Sequence, residues 1–190
     1  MNQNAGYIVY QLRALMNDRA ITSLFTDPEN PDDFIAGYLR QVNAKQVLVE
    51  AVSPYGRFDG WFVIRNSCVN EAVYDAVYAE RLETLLRLNR AEPSQMPLPE
   101  VESDYMHHVL SWAKEHHRVV TVWTRDESYT GFVDLVDDLR LTVGVLDFMG
   151  LNPMPVQFAL RDLELMSIGS EEERMYEQLN DHFTGIGREE

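Results

Sequence analysis

The sequence predicts a mainly β chain with flanking helices, an α+β class, built on one plan used twice. Three observations predict it. Short apolar runs rich in β-branched residues, "QVLVEAV" from Gln46 and "RVVTVWT" from Arg118, read as strands. After each comes a polar turn and an aromatic–x–Gly–aromatic strand, "FDGWFVI" from Phe58 or "YTGFVDL" from Tyr129. Segments of helical spacing with capping residues frame these runs.

Taken in order, residues 5–17 predict an amphipathic helix through Ile8, Leu12, Leu15 and Met16. "TDPENPDD" is a loop whose last acids cap a second helix, from about Asp33 to Ala44. Residues 70–89 fit two readings. Val73, Val77, Leu82, Leu85 and Leu86 sit at near-helical spacing, whereas the repeat described below favours strands. "AEPSQMPLPEVESD" (91–104) carries Pro93, Pro97 and Pro99 and reads as an extended linker. Ser103 or Asp104 caps a helix running towards His117. "VGVLD" and "VQFAL" are β-rich, and "SEEERMYEQLNDHF" after Gly169 is a helix whose first-turn acids complement its dipole. The expected domains are an N-terminal helix and loop (1–32), a first repeat (33–90), the linker (91–104), a second repeat (105–170) and a C-terminal helix and tail (171–190).

The repeat is expected from a gapless overlay of Phe34–Asn66 on Tyr105–Asp137, 71 positions apart. It pairs Leu39 with Leu110, Val49 with Val120 and Gly60 with Gly131. Beyond it, "VYAERLETLL" lies over "FALRDLELMS" at a spacing of 81, which implies about ten extra residues around "DFMGLNPMP".

Composition narrows function. The chain has 190 residues, 45% of them hydrophobic, ample for a core. Its net charge of −15 disfavours general phosphate-backbone binding. The acidity is uneven: residues 1–90 carry 11 acids and 9 bases, whereas residues 91–190 carry 20 and 7. Any polyanion contact is therefore expected on the first half. No apolar run approaches the ~20 residues of a spanning helix, and the N-terminal stretch lacks secretory features. With Cys68 the sole cysteine, no internal disulfide can form. A cytoplasmic location without membrane contact is the expectation.

In the second half, Gly131, Val133, Val136 and Asp137 spell Gly–x–apolar–x–x–apolar–Asp, while Leu160, Arg161 and Leu165 follow apolar–Arg–Gly–x–x–apolar. With a helix leading into short strands, these residues resemble the Sm-like family. The resemblance implies two Sm-like or SH3-like small barrels in tandem, each preceded by a helix. Sm-like barrels pair edge strands into six- or seven-membered rings, so two barrels per chain imply a homotrimer of six barrels.

In RNA-binding members an Asn four residues after the Asp helps hold a base, and an Arg–Gly step lines the central hole. Here Leu141 and Asp162 stand at the Asn and Gly positions. In the first half Asn66 and Asn70 fall on the Asp and Asn positions, so Arg65, Asn66 and Asn70 are the candidate nucleotide contacts. Asp134, Asp137 and Asp138, with Asp147, form an acidic turn that would repel phosphate and is the candidate site for a hard cation, although it lacks an EF-hand pattern. His107 and His116 fall on nearly opposite faces of a helix and cannot share one ion. Trp61, Trp112 and Trp123 read as core or interface anchors. No Gly-rich phosphate loop, nucleophile elbow or Cys–His pair occurs. The expected function is thus a non-enzymatic binding or scaffold protein that needs no cofactor, a homo-oligomer open to a protein partner. Weak RNA or nucleotide binding by the first repeat, and a cation-dependent module or enzyme at residues 134–147, are the alternatives.

Overall fold

Asn43 and Asp137 each end a strand and turn the chain back on itself, and the surrounding elements follow one course twice. The computed structural model describes residues 3–185 apart from 31, 94, 95, 97, 98 and 101. It divides into two compact units, Met1–Tyr105 and Met106–Glu190.

The first unit runs α1 (Gln3–Asp18), β1 (Ile21–Phe25), β2 (Phe34–Val42), β3 (Gln46–Val52), β4 (Phe58–Arg65), a 3-10 turn (Asn66–Cys68), β5 (Glu71–Val73) and α2 (Ala76–Asn89). From α3 (Tyr105–Glu115) the chain enters the second unit. It continues through β6 (Val119–Trp123), β7 (Ser128–Val136), β8 (Arg140–Val145), β9 (Met154–Ala159), a 3-10 turn (Leu160–Asp162), β10 (Leu165–Ile168) and α4 (Glu171–Thr184). The class is α+β. Strand order is β5-β1-β2-β3-β4 in the first unit and β10-β6-β7-β8-β9 in the second. Each run of five strands is open: among the described residues no pairing joins β4 to β5, or β9 to β10.

Residues 94 positions apart do the same work in the two units. Gly37 pairs with Ala51 and Gly131 with Val145, and bulges follow at Leu39/Gln41 and Val133/Leu135. The Ser53 and Asp147 side chains accept the amides of Arg57 and Leu151 (3.3 and 3.0 Å). Asn66 N–H donates to the Lys45 carbonyl, and Leu160 N–H to that of Leu139, both at 2.8 Å.

Three expectations are corrected here, and the open reading of residues 70–89 is decided. The segment from Asp33 to Ala44 is strand β2, not a helix, because Phe34–Val42 pairs with β1 on one side and β3 on the other. The 71-position overlay therefore fails at its first element: it sets this strand on helix α3. "DFMGLNPMP" is no insertion, since Asp147, Gly150 and Leu151 close the same turn as Ser53, Gly56 and Arg57. Residues 76–89 are helix rather than strand; the Asp75 carboxylate caps the amides of Val77 and Tyr78 (2.9 and 3.1 Å), and Arg90 ends the helix in a left-handed conformation.

Part of the core of the first unit lies under α2, where Ala79, Leu82 and Leu86 pack with Ile21, Ala36 and Val52. Strand β3 is buried along its whole length. In the second unit Ser170 and Glu173 form a capping box at the start of α4. Among the described residues no helix is long and apolar enough to cross a membrane. Of the three prolines in the 91–104 segment, Pro97 lies outside the described residues.

Candidate functional site

Asp137 Oδ1 accepts the amides of Leu139 and Arg140 (2.9 and 2.8 Å), while Oδ2 takes the Arg140 guanidinium (2.9 and 3.2 Å). Those backbone amides, and then the guanidinium, hold its carboxyl below the ordinary carboxylate range. In the first unit Asn43 Oδ1 accepts the Lys45 and Gln46 amides, both at 2.8 Å. Each side chain thus closes its own turn. The residues four positions on, Val47 and Leu141, are fully buried core.

Asn43 escaped the sequence reading, although Gly37, Leu39, Val42 and Asn43 repeat the spacing of Gly131, Val133, Val136 and Asp137. The helix expected over Asp33–Ala44 concealed it. Gln46 is a buried polar residue at the start of β3. Its carboxamide donates to Asp104 (3.0 Å) and accepts the Tyr105 amide (2.6 Å), so it holds the start of α3.

The sequence-predicted contacts are not gathered into one pocket. Arg65 closes β4 opposite Gln46. Asn66 is buried and its Nδ2 donates to the Asn43 carbonyl (3.0 Å), while its Oδ1 has no hydrogen-bond partner among the described residues. Asn70 is exposed, and its Nδ2 donates to the Thr26 carbonyl (2.7 Å). It lines a shallow cleft with Tyr7, Gln11, Phe25, Asp27 and Glu71, whose two carboxylates oppose a phosphate.

The cation candidates fare similarly. Asp147 accepts the Met149 and Leu151 amides and Asn152 Nδ2 (2.9, 3.0 and 2.9 Å), which lower its pKa, the Leu151 amide most. Among the described residues no three His, Cys, Asp or Glu side chains, Asp134 and Asp138 included, come together as a metal site. His116 stacks on Trp112 and His117 on Phe132, both with ring centroids 4.3 Å apart.

A constellation that the sequence did not announce lies in the first unit. Strand pairing sets Tyr38 opposite Glu50. Glu50 is 1% exposed, and its Oε2 accepts the Arg40 guanidinium through Nε (2.8 Å) and Nη2. Arg40 in turn lies over the Tyr38 ring, 5.0 Å from its centroid. Burial, then the Glu83 carboxylate, raises the Tyr38 pKa. Beside these groups a cleft of about 540 Å³ opens, lined by Tyr38, Phe58, Glu83, Leu86, Arg87 and Arg90 among others.

Of the edge strands, β9 is exposed or half-buried throughout and β5 is three residues long. In β9 the Leu160–Leu139 bond fixes the alternation. Met154, Val156 and Phe158 exchange bonds with β8, and the backbone groups of Pro155, Gln157 and Ala159 face outward. Pro155 blunts one end of that edge, leaving the N–H groups of Gln157 and Ala159 to be paired.

No family model matches the chain, and no curated protein does. Among solved structures, a crystal structure of MrkH from K. pneumonia overlays 98% of this chain and 95% of its own at 10% identity, with a TM-score of 0.19. An overlay that loose carries no information about fold or function.

Proposed function

We propose that this chain is a non-enzymatic assembly module made of two Sm-like units, and that three copies close a ring of six units through their outer strands. The observation that carries the reading is the open, exposed outer edge of β9 on a unit whose course matches that of the first. Helix, five antiparallel strands and a 3-10 turn before the last strand recur in both halves, with a spacing of 94 residues from β2 and β7 onward, as expected of two copies of one module. The first unit supports the family resemblance further. It carries Gly37-x-Leu39-x-x-Val42-Asn43 and also Ile64-Arg65-Asn66-x-x-Val69, with Asn66 where the family has Gly. RNA binding of the family type gains no support, because Val47 and Leu141 occupy the base-holding Asn positions as buried core.

Light scattering on a sizing column tests the assembly directly. The expected mass is three times the 22.0 kDa chain. A monodisperse single chain at micromolar concentration overturns the ring. Gln157→Pro removes an outward N–H without touching the bonds to β8, so it is expected to yield single chains with an unchanged circular dichroism spectrum. A trimer that survives this substitution places the contact elsewhere.

A further inference from the structure

We propose that the cleft between β2, β4 and the C-terminal end of α2 binds a nucleoside monophosphate, or a ligand of the same build: a flat ring with N–H donors and one anionic group. The proposal does not depend on ring assembly.

The first support is an asymmetry between two otherwise matching units. Ninety-four positions after Tyr38, Arg40, Glu50 and Phe58 stand Phe132, Asp134, Gly144 and Asn152. The second sheet forms with the same bulge and the same facing pair, Phe132 with Gly144, and has no buried carboxylate or arginine there. Burying the Glu50 carboxylate costs hydration that hydrophobic packing would not have to surrender, while its partner Arg40 stays 38% exposed. The fold dispenses with the pair in one unit, so folding alone does not account for Arg40–Glu50 in the other. What the pair achieves is positional: Glu50 fixes Arg40, and Arg40 covers Tyr38.

The second support is the chemistry of the lining. Tyr38 and Phe58 are half-buried, their ring centroids 6.4 Å apart and their planes inclined at 36°, which provides aromatic surface for a flat ring. A volume of about 540 Å³ falls within the range of small-ligand pockets. Arg87 and Arg90 are both exposed at the rim. Arg87 donates to Thr84 Oγ1 at 3.2 Å, and among the described residues Arg90 has no side-chain partner. In a chain of net charge −15, two arginines at one rim mark it as a place where an anion is attracted. Glu83 adds an acceptor for a ring N–H and leaves the lining with one net positive charge, which suits a single anionic group.

Isothermal titration of the full chain with GMP and AMP is the test, with guanosine and inorganic phosphate as separate arms. Saturable binding of at least one nucleotide at one site per chain is expected, with guanosine and phosphate each about tenfold weaker or worse. Tyr38→Ala and Arg90→Glu are each expected to weaken it about tenfold. Tyr38→Phe keeps the ring and retains binding. Glu83 in α2 and Arg90 directly after it line the cleft outside the core, so Arg90→Glu and Glu83→Gln decide the matter if Tyr38→Ala fails to fold. The proposal is overturned by no saturable heat with either nucleotide, by phosphate binding as tightly as the nucleotide, or by nucleotide binding that survives Arg90→Glu.

Discussion

Gly131→Ala is expected to destabilise the chain by about 3 kcal/mol, and Gly37→Ala by a similar amount. Both glycines sit where a strand crosses its neighbour at closest approach. A Cβ on Gly131 would fall 2.1 Å from the Gly144 carbonyl oxygen and 2.9 Å from the Val145 Cα. On Gly37 it would lie 2.3 Å from the Glu50 oxygen and 2.9 Å from the Ala51 Cα. These neighbours are backbone, so no rotamer change relieves the contact; the strands must separate. The bulge two residues later in each unit bends the strand at this point, which tightens the approach. Gly6→Ala is the control. It lies in α1 with nothing within 4 Å of the added methyl and should stabilise by about 0.5–1 kcal/mol through helix propensity. Urea unfolding of the three variants measures all of this; a loss below about 0.5 kcal/mol at either close-packed glycine contradicts the packing described.

The same two glycines show what the sequence made legible and what it hid. Gly131 heads a legible motif because alternation around it is unambiguous and its hairpin closes on Asp137. Gly37 has the same role, but Phe34, Ile35, Leu39 and Val42 also fall at helical spacing, and an acidic loop before them imitates a cap. Only pairing with β1 and β3 decides between the two periods. With β2 taken as helix, the buried run of β3 was matched to the buried run of β6, although one is the third strand of its unit and the other the first. Two fully apolar strands look alike, and neither carries a mark of its place in a sheet. The helices α1, α3 and α4 were legible because caps and amphipathic spacing are local. The cleft was not: Tyr38, Phe58, Glu83 and Arg90 are scattered over fifty residues and converge only through strand pairing and the packing of α2.

Glu173→Ala is expected to cost about 3 kcal/mol or more, the second large effect. The residue is fully buried, yet it belongs to the first turn of a helix, where an acid usually faces water. Its Oε1 accepts the Thr121 amide (3.1 Å) and the Ser167 hydroxyl, while Oε2 accepts the Ser170 amide (2.8 Å). Truncation leaves two backbone donors and a hydroxyl without acceptors in an apolar setting. The carboxylate also sets a pH dependence whose sign follows from burial. Desolvation raises its pKa from 4.5, outweighing the hydrogen bonds that lower it, so the folded chain holds the proton to higher pH than the unfolded chain. Stability from this group is therefore fully present below about pH 4.5 and declines as pH rises through the folded pKa. Within that window it falls by about 1.4 kcal/mol per pH unit. Glu173→Gln removes the titrating group while keeping the Oε1 acceptor, and its stability should lack this decline. Denaturation midpoints from pH 4 to pH 8, on both proteins, measure the difference; parallel profiles would show that Glu173 does not titrate as its burial requires.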